Sequence, residues 1–387
     1  MEADRTDPAA AEPLGWIPAA LEALEEEGLR RTVRHKDTPG GISGLVDLSS
    51  NDYLGLSHDA RLADAAAAAI RTWGVGAGAS RLVVGGSTPH RDLEAAVAAW
   101  KHTEDAIVFS SGYLANVGTI AALVGADDVI LSDELNHASI IDGCRVSSAR
   151  AHVYRHRDAD HLRSLLRATA APGRRQLVVT DGVFSMDGDL ADLPGVCDAA
   201  EEVGAIVMVD DAHGSGVLGP EGRGTAALQG VADRVHVHLG TLSKSVGTAG
   251  GFVAGSAALV DWLRNRARSY VFDTAPPPAV MAAAAVGVRI ARRDGALRAA
   301  AVANATRLAE GLGLPAPPAC VLPLVVGDPR RALMLSAGLE EAGFLVVAIR
   351  PPSVPEGTAR LRFTVTAAHD AEVIDRAAAV TRELLQR

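Results

Sequence analysis

Short apolar runs alternate with amphipathic stretches from about residue 58 to residue 270 of the chain. The apolar runs, each bounded by turn or polar residues, are 105–110, 128–132, 176–182, 205–211 and 234–240. Strands that are buried on both faces of a parallel sheet have such continuous Val- and Ile-rich runs. Because helix-like stretches such as 90–102 and 158–170 separate the runs, the pattern predicts a right-handed, wound α/β domain with a mainly parallel sheet.

The pattern changes after about residue 280. A long Ala-, Val- and Arg-rich helical stretch begins there, and an alternation of apolar runs and helix-like stretches follows it. The last strand-like run alternates cleanly between apolar and polar residues, which is typical of a smaller sheet with one covered face. We therefore predict a large domain (56–280), a C-terminal small domain (281–387), and an N-terminal segment (1–55) that packs with the small domain.

Composition and charge exclude several classes of protein. The formal net charge of −10 disfavours nucleic acid as a partner, because phosphate-binding surfaces are basic. Cys144, Cys197 and Cys320 are too widely spaced for a metal cluster or a disulfide framework, as is usual in a reducing compartment. The acidic start does not have the pattern of a signal peptide, and the Ala-rich stretches are too short to cross a bilayer. The sequence predicts a cytoplasmic protein of enzyme size without a metal site, a membrane segment or a nucleic-acid partner.

Residues that could bind a ligand or take part in catalysis follow each of the five predicted strands. In open α/β sheets, ligands bind beyond the carboxyl ends of the strands. The residues at these ends are, in chain order, Gly112 with Tyr113, His137, Ser185, Asp210 with Asp211 and His213, and Lys244. A glycine that opens a helix exposes backbone N–H groups, which favour a phosphate together with the helix dipole, although a tight turn would also explain Gly112. The strand ends predict one site that combines these groups.

Asp210 and Lys244 follow neighbouring predicted strands, and this pair suits pyridoxal phosphate. A lysine forms a Schiff base with the aldehyde of this cofactor, and a carboxylate keeps its pyridine nitrogen protonated. Opposite charges ~3 Å apart at an effective dielectric of ~20 attract by roughly 5 kcal/mol before desolvation. A salt bridge or a helix cap would explain Asp210 alone, and a solvated side chain would explain Lys244 alone. The combination favours the cofactor.

Seven stretches resemble, in order, the motifs of the α-oxoamine synthases, a family of pyridoxal-phosphate enzymes. The stretches are "SSNDYLGLS", "SSGYLAN", "NHAS", "VFSMDGD", "VDDAHGSG", "TLSK" and "IRPPSVPEGTARLRFT". The resemblance extends from about Arg30 to the C-terminus. It implies the type I fold of pyridoxal-phosphate-dependent transferases, with a mainly parallel seven-stranded sheet in the large domain and a smaller α+β C-terminal domain. It also implies a homodimer whose active site lies between the subunits.

The resemblance implies catalytic roles for four residues. Lys244 would be the Schiff-base lysine, and Asp210 would face the ring nitrogen. His213 would hydrogen-bond the phenolic oxygen of the cofactor, and His137 would stack on the face of the ring.

Further residues would bind the cofactor. Gly112, Tyr113 and Thr241 would hold the phosphate, together with Thr274 of the partner subunit. Ser185 would lie near the ring.

The resemblance also implies residues that bind the substrates. Asn51 and Arg362 would bind the carboxylate of the amino acid, and His137 would contact the same substrate. Arg30 and Ser353 match positions that contact the acyl substrate. Relatives often have threonine where Ser353 stands, so the hydroxyl is kept.

The reaction that the resemblance implies is the decarboxylative condensation of L-alanine with a pimeloyl thioester in biotin biosynthesis. The acyl group would be carried by coenzyme A or by an acyl carrier protein. Another member of the family, which uses glycine or a different amino acid or acyl-CoA, is an alternative, and so is a pyridoxal-phosphate aminotransferase. A non-catalytic binding module is a third class, against which the intact set of Lys244, Asp210, His213 and His137 argues. Carbon dioxide release from L-alanine and pimeloyl-CoA would separate these classes.

Overall fold

The computed structural model describes residues 13–38 and 41–386. Contacts within this part of the chain divide it into two compact units. The first unit contains the described residues up to Asp47 together with Leu324–Arg362. The second unit contains Leu48–Pro323 and the described residues from Phe363 onwards.

The helices and strands of the described residues follow the alternation that the sequence predicts. The helices are α1 (Ile17–Glu26), α2 (Ala60–Trp73), α3 (Thr88–Lys101), α4 (Gly112–Leu123), α5 (Ala138–Val146), α6 (Ala159–Thr169), α7 (Leu193–Glu201), α8 (Thr225–Leu228), α9 (Ala257–Arg266), α10 (Arg268–Val271), α11 (Pro278–Arg293), α12 (Gly295–Leu312), α13 (Pro329–Glu341) and α14 (Ala371–Leu385). The strands are β1 (Val46–Asp47), β2 (Asp105–Phe109), β3 (Val129–Asp133), β4 (Arg150–Tyr154), β5 (Gln176–Asp181), β6 (Ile206–Asp210), β7 (Val237–Thr241), β8 (Gly251–Gly255), β9 (Val321–Gly327), β10 (Phe344–Leu345), β11 (Val347–Ile349) and β12 (Ala359–Thr364).

A central sheet organises the second unit. Within the described residues it has seven strands in the order β2-β8-β7-β6-β5-β3-β4. The neighbours from β7 to β4 pair in parallel, and β8 runs antiparallel to both β2 and β7. The prediction of a mainly parallel seven-stranded sheet is therefore confirmed. The apolar runs are continuous because helices pack on both faces of the sheet.

Two strands of this sheet have no apolar run in the sequence. β4 is an edge strand, and most of its side chains are exposed or half-buried. β8 is rich in small residues because it passes close to the start of α4. A Cβ added at Gly251 would lie 2.6 Å from the backbone of Gly112. β7 begins at Val237, later than predicted, because residues 232–234 form a 3₁₀ turn.

Three groups of buried apolar residues surround the central sheet. One group lies under α2, α3 and α11 and includes Leu93, Trp100, Phe252 and Met281. A second group lies under α4, α5 and α9, and a third lies under α6 and α7. Residues 281–323, which the sequence analysis assigned to the small domain, belong to the second compact unit because α11 packs on α2 and α3. The predicted division into domains remains a prediction.

The first unit contains short strands and helices of its own. β1 pairs in parallel with β10, and β11 pairs antiparallel with β12, which also neighbours β9. α13 packs against β10 and β11. This is the smaller α+β element that the fold class includes. In the part of the chain that the structure describes, no helix combines the length and the apolar character needed to cross a membrane.

Candidate active site

A cavity of the second unit lies at the carboxyl ends of β5, β6 and β7. Its lining comes from several strand ends and from the N-terminal parts of α4 and α5. The lining residues are Ser111, Gly112, Tyr113, Asn116, His137, Ser139, Asp181, Ser185, Asp210, Ala212, His213, Thr241, Ser243 and Lys244. Eight of the residues that the sequence analysis proposed therefore lie around one cavity.

The first turn of α4 packs tightly against the end of β7. Ser111 is the N-cap residue of the helix, and its Oγ accepts the N–H of Leu114 at 3.1 Å. A Cβ added at Gly112 would lie 3.4 Å from Cβ and 3.5 Å from Oγ1 of Thr241. Glycine at this position leaves the helix N-terminus open toward the cavity. The first N–H groups of a helix and its dipole together favour an anion.

A buried hydrogen-bond network connects Asp210 with His137. Nδ2 of Asn116 donates to Oδ2 of Asp210 at 2.6 Å and to Oγ of Ser139 at 2.9 Å. Oγ of Ser139 lies 2.7 Å from Nδ1 of His137, and the Ser139 N–H donates to the same nitrogen at 3.2 Å. Nδ1 of His137 is therefore an acceptor, and its hydrogen is on Nε2.

Burial lowers the pKa of His137, with Lys244 acting in the same direction and Asp210 opposing it. An uncharged imidazole at a cavity wall offers a flat face on which an aromatic ring can stack. The backbone N–H of His137 donates to Oδ2 of Asp181 at 2.9 Å, which fixes the position of the residue at the start of α5.

Asp181 and Asp210 are cross-strand neighbours at the ends of β5 and β6. Burial and then the Asp210 carboxylate raise the pKa of Asp181 well above its usual value. Two adjacent carboxylates resist ionising together, so this shift favours the neutral form of Asp181.

His213 contacts the segment that carries the "NDYLGL" motif. Its Nδ1 lies 2.6 Å from the hydroxyl of Tyr53, which in turn lies 3.2 Å from Oδ1 of Asn51. Asn51 is thus connected to the cavity through Tyr53.

The loop that carries Ser185 is held by an ionic cluster. His156 contacts Oδ1 of Asp133 at 2.9 Å and Oδ2 of Asp189 at 3.0 Å. Its ring also packs on Phe184 in an edge-to-face arrangement, with centroids 4.3 Å apart. The cluster ties the end of β3 to the loop beside the cavity.

A buried lysine, Lys101, hydrogen-bonds to the segment that follows β6. Nζ of Lys101 donates to Oγ of Ser215 at 2.6 Å and to the carbonyl of Arg223 at 2.7 Å, and it lies 3.9 Å from Oδ2 of Asp211. Burial lowers the pKa of Lys101 to about 8. Asp211 also accepts the N–H and the hydroxyl hydrogen of Thr225 at 2.9 and 2.6 Å.

The remaining predicted site residues do not line the cavity. Thr274 forms an isolated bridge with Ser80. Three others belong to the first unit. Arg362 is buried on β12, Arg30 is half-exposed beside Glu25, and Ser353 accepts a hydrogen bond from Arg31 at 3.2 Å. The roles of these residues remain predictions.

Several cavity residues were not among the predicted site residues. Asn116 and Ser139 are the last residues of the stretches "SSGYLAN" and "NHAS", but neither was assigned a role. Asp181 ends the run "VVTD" at the same height as Asp210. Asp181 could have been predicted from the sequence as a site residue, because it ends a strand and the residues at the other strand ends were already candidates.

Comparison with known proteins gives the family of the chain. Residues 43–380 match the family model of class I and II aminotransferases. The chain belongs to this family. It is 48% identical over 373 residues to the 8-amino-7-oxononanoate synthase of Anaeromyxobacter dehalogenans, with 94% of this chain and 93% of the relative covered.

Solved structures agree with this assignment. The serine palmitoyltransferase of Sphingomonas wittichii superimposes with a TM-score of 0.91 at 34% identity, covering 97% of this chain and 98% of that protein. The 8-amino-7-oxononanoate synthase of Francisella tularensis gives a TM-score of 0.76 at 26% identity, covering 88% and 98%. The predicted acyltransferase class, the type I fold and the cofactor pyridoxal phosphate are confirmed.

The cavity has the groups that this cofactor needs. Asp210 is a buried carboxylate, and Lys244 supplies a primary amine to the same cavity. The helix N-terminus at Gly112, with the Thr241 and Ser243 hydroxyls beside it, suits the phosphate. The residues present therefore fit pyridoxal phosphate.

Proposed function

We propose that this enzyme condenses L-alanine with a pimeloyl thioester to form 8-amino-7-oxononanoate, carbon dioxide and the free thiol. A new bond joins the alanine Cα to the acyl carbonyl carbon, the thiolate leaves, and the alanine carboxylate departs as carbon dioxide. The relatives named 8-amino-7-oxononanoate synthase support this choice of substrates. The product places the reaction in biotin biosynthesis.

One observation carries the proposal: Lys244 and Asp210 line the same cavity, with His137 and His213 beside them. When bound, pyridoxal phosphate supplies an electron sink that stabilises a carbanion at the amino-acid Cα. We propose that Asp210 holds the proton on the ring nitrogen and that Lys244 removes the Cα proton and later returns one.

The other cavity residues orient and hold the reactants. His137 presents a neutral ring face, and the network through Asn116 keeps the Asp210 carboxylate hydrogen-bonded. The start of α4 would hold the phosphate together with Thr241. Arg362 and Asn51 are proposed to bind the alanine carboxylate, since a guanidinium pairs with a carboxylate through two parallel hydrogen bonds.

A second candidate uses a different amino acid or a longer acyl thioester. The high structural similarity to a serine palmitoyltransferase supports it. Such an enzyme would share the cofactor residues and differ only in the groups that contact the substrates.

We further propose that the chain forms a homodimer. Val75, Val83, Val84 and Phe272 are large apolar side chains that are 76%, 71%, 77% and 70% exposed. Residues 79–80 and 274–275 hydrogen-bond to each other, so the exposed side chains at 83–84 and 272 belong to neighbouring segments. Exposed apolar groups concentrated in this way are typical of an interface. The double variant Val83→Glu/Val84→Glu should lower the mass measured by light scattering, whereas Val33→Glu, in the other unit, should not.

The substrates are tested with a matrix of amino acids and acyl thioesters. Glycine, L-alanine and L-serine are each combined with pimeloyl-CoA, a pimeloyl-carrier protein and palmitoyl-CoA, and thiol and carbon dioxide release are measured. The proposal expects L-alanine with a pimeloyl donor to give the highest kcat/KM. Preference for L-serine with palmitoyl-CoA would favour the second candidate instead.

The lysine can be tested separately because the chain has three lysines, at 36, 101 and 244. Borohydride treatment of the holoenzyme followed by peptide mapping should place the cofactor on Lys244. Lys244→Ala should lose turnover and the visible absorbance, and Lys36→Ala, at an exposed position, should keep both. Labelling of another lysine would contradict the assignment.

A further inference from the structure

The chain after β5 forms a small hairpin (the Ser185 hairpin, residues 183–190) that brings Ser185 to the cavity wall. The N–H of Phe184 donates to the carbonyl of Asp189 at 3.0 Å, and the N–H of Gly188 donates to the carbonyl of Phe184 at 2.8 Å, which closes the hairpin. On its return side the hairpin carries the carboxylate of Asp189. The cofactor chemistry described above gives this carboxylate no role.

His156 links the Ser185 hairpin to the end of β3. Its Nε2 lies 3.0 Å from Oδ2 of Asp189, and its Nδ1 lies 2.9 Å from Oδ1 of Asp133. The edge-to-face contact with the buried Phe184 fixes the position of the ring. Nη1 of Arg157 donates to the same oxygen of Asp189 at 3.0 Å. The carboxylate of the hairpin is therefore held by two side chains of the segment that follows β4.

The carboxylate of Asp133 is a fixed acceptor on the other side of the ring. Its Oδ1 also accepts the N–H of Leu135 at 2.9 Å, and its Oδ2 accepts the N–H of Arg157 at 3.1 Å. Hydrogen bonds from backbone N–H groups favour an ionised carboxylate. Arg157 has a φ of +57°, which is uncommon for a residue other than glycine, and such a conformation persists only where the surrounding contacts hold it.

Both ring nitrogens of His156 must carry hydrogen to satisfy this arrangement. An ionised carboxylate only accepts hydrogen bonds, and a neutral imidazole has one donor and one acceptor nitrogen. A neutral ring would therefore direct a lone pair at one of the two carboxylates. The side chain of Asp133 is 1% exposed and that of Asp189 is 29% exposed, so the single remaining hydrogen would stay with Asp133 and the link to the hairpin would be lost.

The surroundings of the cluster also favour the charged ring. Besides Asp133 and Asp189, the titratable and charged groups nearby are Glu134, Tyr154, Arg157, Asp181 and Asp187. Arg157 apart, these are carboxyl groups or a phenol. Burial opposes the charge of His156, but the two carboxylates that contact the ring outweigh it and raise the pKa of His156 to about 9.

We propose that His156 is a positioning residue whose charged ring clamps the Ser185 hairpin at the cavity wall, so that pyridoxal phosphate binds more tightly when His156 is protonated. A deprotonated ring would release Asp189, and Ser185 would then be held less firmly beside the cofactor. Because linkage is reciprocal, bound cofactor must raise the pH at which His156 titrates. The proposal holds for whichever amino acid and acyl thioester the enzyme uses, so its failure would leave the proposed function intact.

The first test measures cofactor affinity across pH. The holoenzyme is freed of pyridoxal phosphate, and rebinding is followed by visible absorbance from about pH 7 to about pH 10 in wild type and in His156→Gln, which cannot carry the charge. At the acid end the variant should bind the cofactor roughly 10-fold more weakly, as expected for the loss of one hydrogen bond to a charged group. The two affinities should converge at the alkaline end. Equal affinities at the acid end, or a constant ratio throughout, would overturn the proposal.

Asp128→Asn is the matched control, because it breaks an ionic contact at the opposite end of β3. Oδ2 of Asp128 lies 2.6 Å from Nη2 of Arg175, and Asp128 is buried. This variant should lower the Tm but leave the cofactor affinity and its pH dependence unchanged. If it weakens cofactor binding as much as His156→Gln does, the effect is a general loss of stability and the proposal fails.

Asp189→Asn tests the clamp from the side of the hairpin. It should lose the same part of the cofactor affinity at the acid end. The double variant with His156→Gln should bind the cofactor no more weakly than either single variant, because both changes break the same link. Additive losses would show that the two residues act independently, against the proposal.

Nitrogen-15 NMR of the unmodified, histidine-labelled protein observes the charge directly. The signals of His156 are identified by their loss in His156→Gln. Both ring nitrogens should be protonated in the holoenzyme at about pH 8, and addition of cofactor to the cofactor-free protein should raise the titration of His156 by roughly one pH unit, the equivalent of a 10-fold change in affinity. A neutral ring at that pH, or the same titration with and without cofactor, would rule the clamp out.

Discussion

The charge of His156 should make the stability of the protein depend on pH in a defined window. His156 bridges Asp133 and Asp189, and these two carboxylates outweigh its burial and raise its pKa to about 9. The side chain is 19% exposed, so solvent screens the cluster only in part. An unfolded histidine titrates at about 6.5.

The sign and the size of this pH dependence follow from the linkage between proton binding and folding. Because the folded pKa is above the unfolded one, the folded state binds the extra proton between about pH 6.5 and about pH 9. The stabilisation is complete below this window and is lost as the pH rises through it. A difference of roughly two and a half units corresponds to about 3 kcal/mol.

The perturbation is His156→Gln, which removes the titrating group. Urea unfolding is measured across the window at fixed protein and cofactor concentrations. The difference in unfolding free energy between wild type and variant should shrink by about 3 kcal/mol from the acid to the alkaline end. His238→Gln is the control, because burial lowers the pKa of His238 to about 4, so its folded form stays neutral throughout the window and only the tail of the unfolded titration falls inside it. Parallel profiles for wild type and His156→Gln would refute the reasoning.

Three further predictions concern the support of the site. Lys101→Met should destabilise the protein by about 3 kcal/mol in urea unfolding, because it removes the positive charge beside the buried Asp211 carboxylate. Adding Asp211→Asn should recover most of the loss, and additive losses would contradict this. Gly224→Ala should sharply lower the Tm, since Gly224 has a φ of +103° and an added Cβ would overlap the Asp211 carboxylate; an unchanged Tm would show that the turn adapts. Asn116→Leu should weaken cofactor binding roughly 10- to 100-fold in a fluorescence titration, because the hydrogen bond to Asp210 is lost; unchanged affinity would exclude that support.

Local pattern in the sequence was enough to predict the central strands and the residues at their ends. β2, β3, β5 and β6 follow apolar runs closely, because a strand buried on both faces must be apolar along its whole length. Parallel strands also bring their carboxyl ends to one edge, so the sequence alone predicts that residues far apart in the chain meet at one site. β4 was not predicted, because most of its side chains are not buried and its sequence therefore has no continuous apolar run.

What only the tertiary structure decided is which side chains touch behind the cavity wall. Tyr53 and His213 are 160 positions apart, and neither periodicity nor a strand end indicates that their polar atoms meet. The same holds for Lys101 and Ser215, whose contact depends on how α3 packs against the sheet. A short-range pattern reports whether a residue is buried. The partner that satisfies a buried polar atom depends on the packing of distant segments, and it therefore exists only in the folded chain.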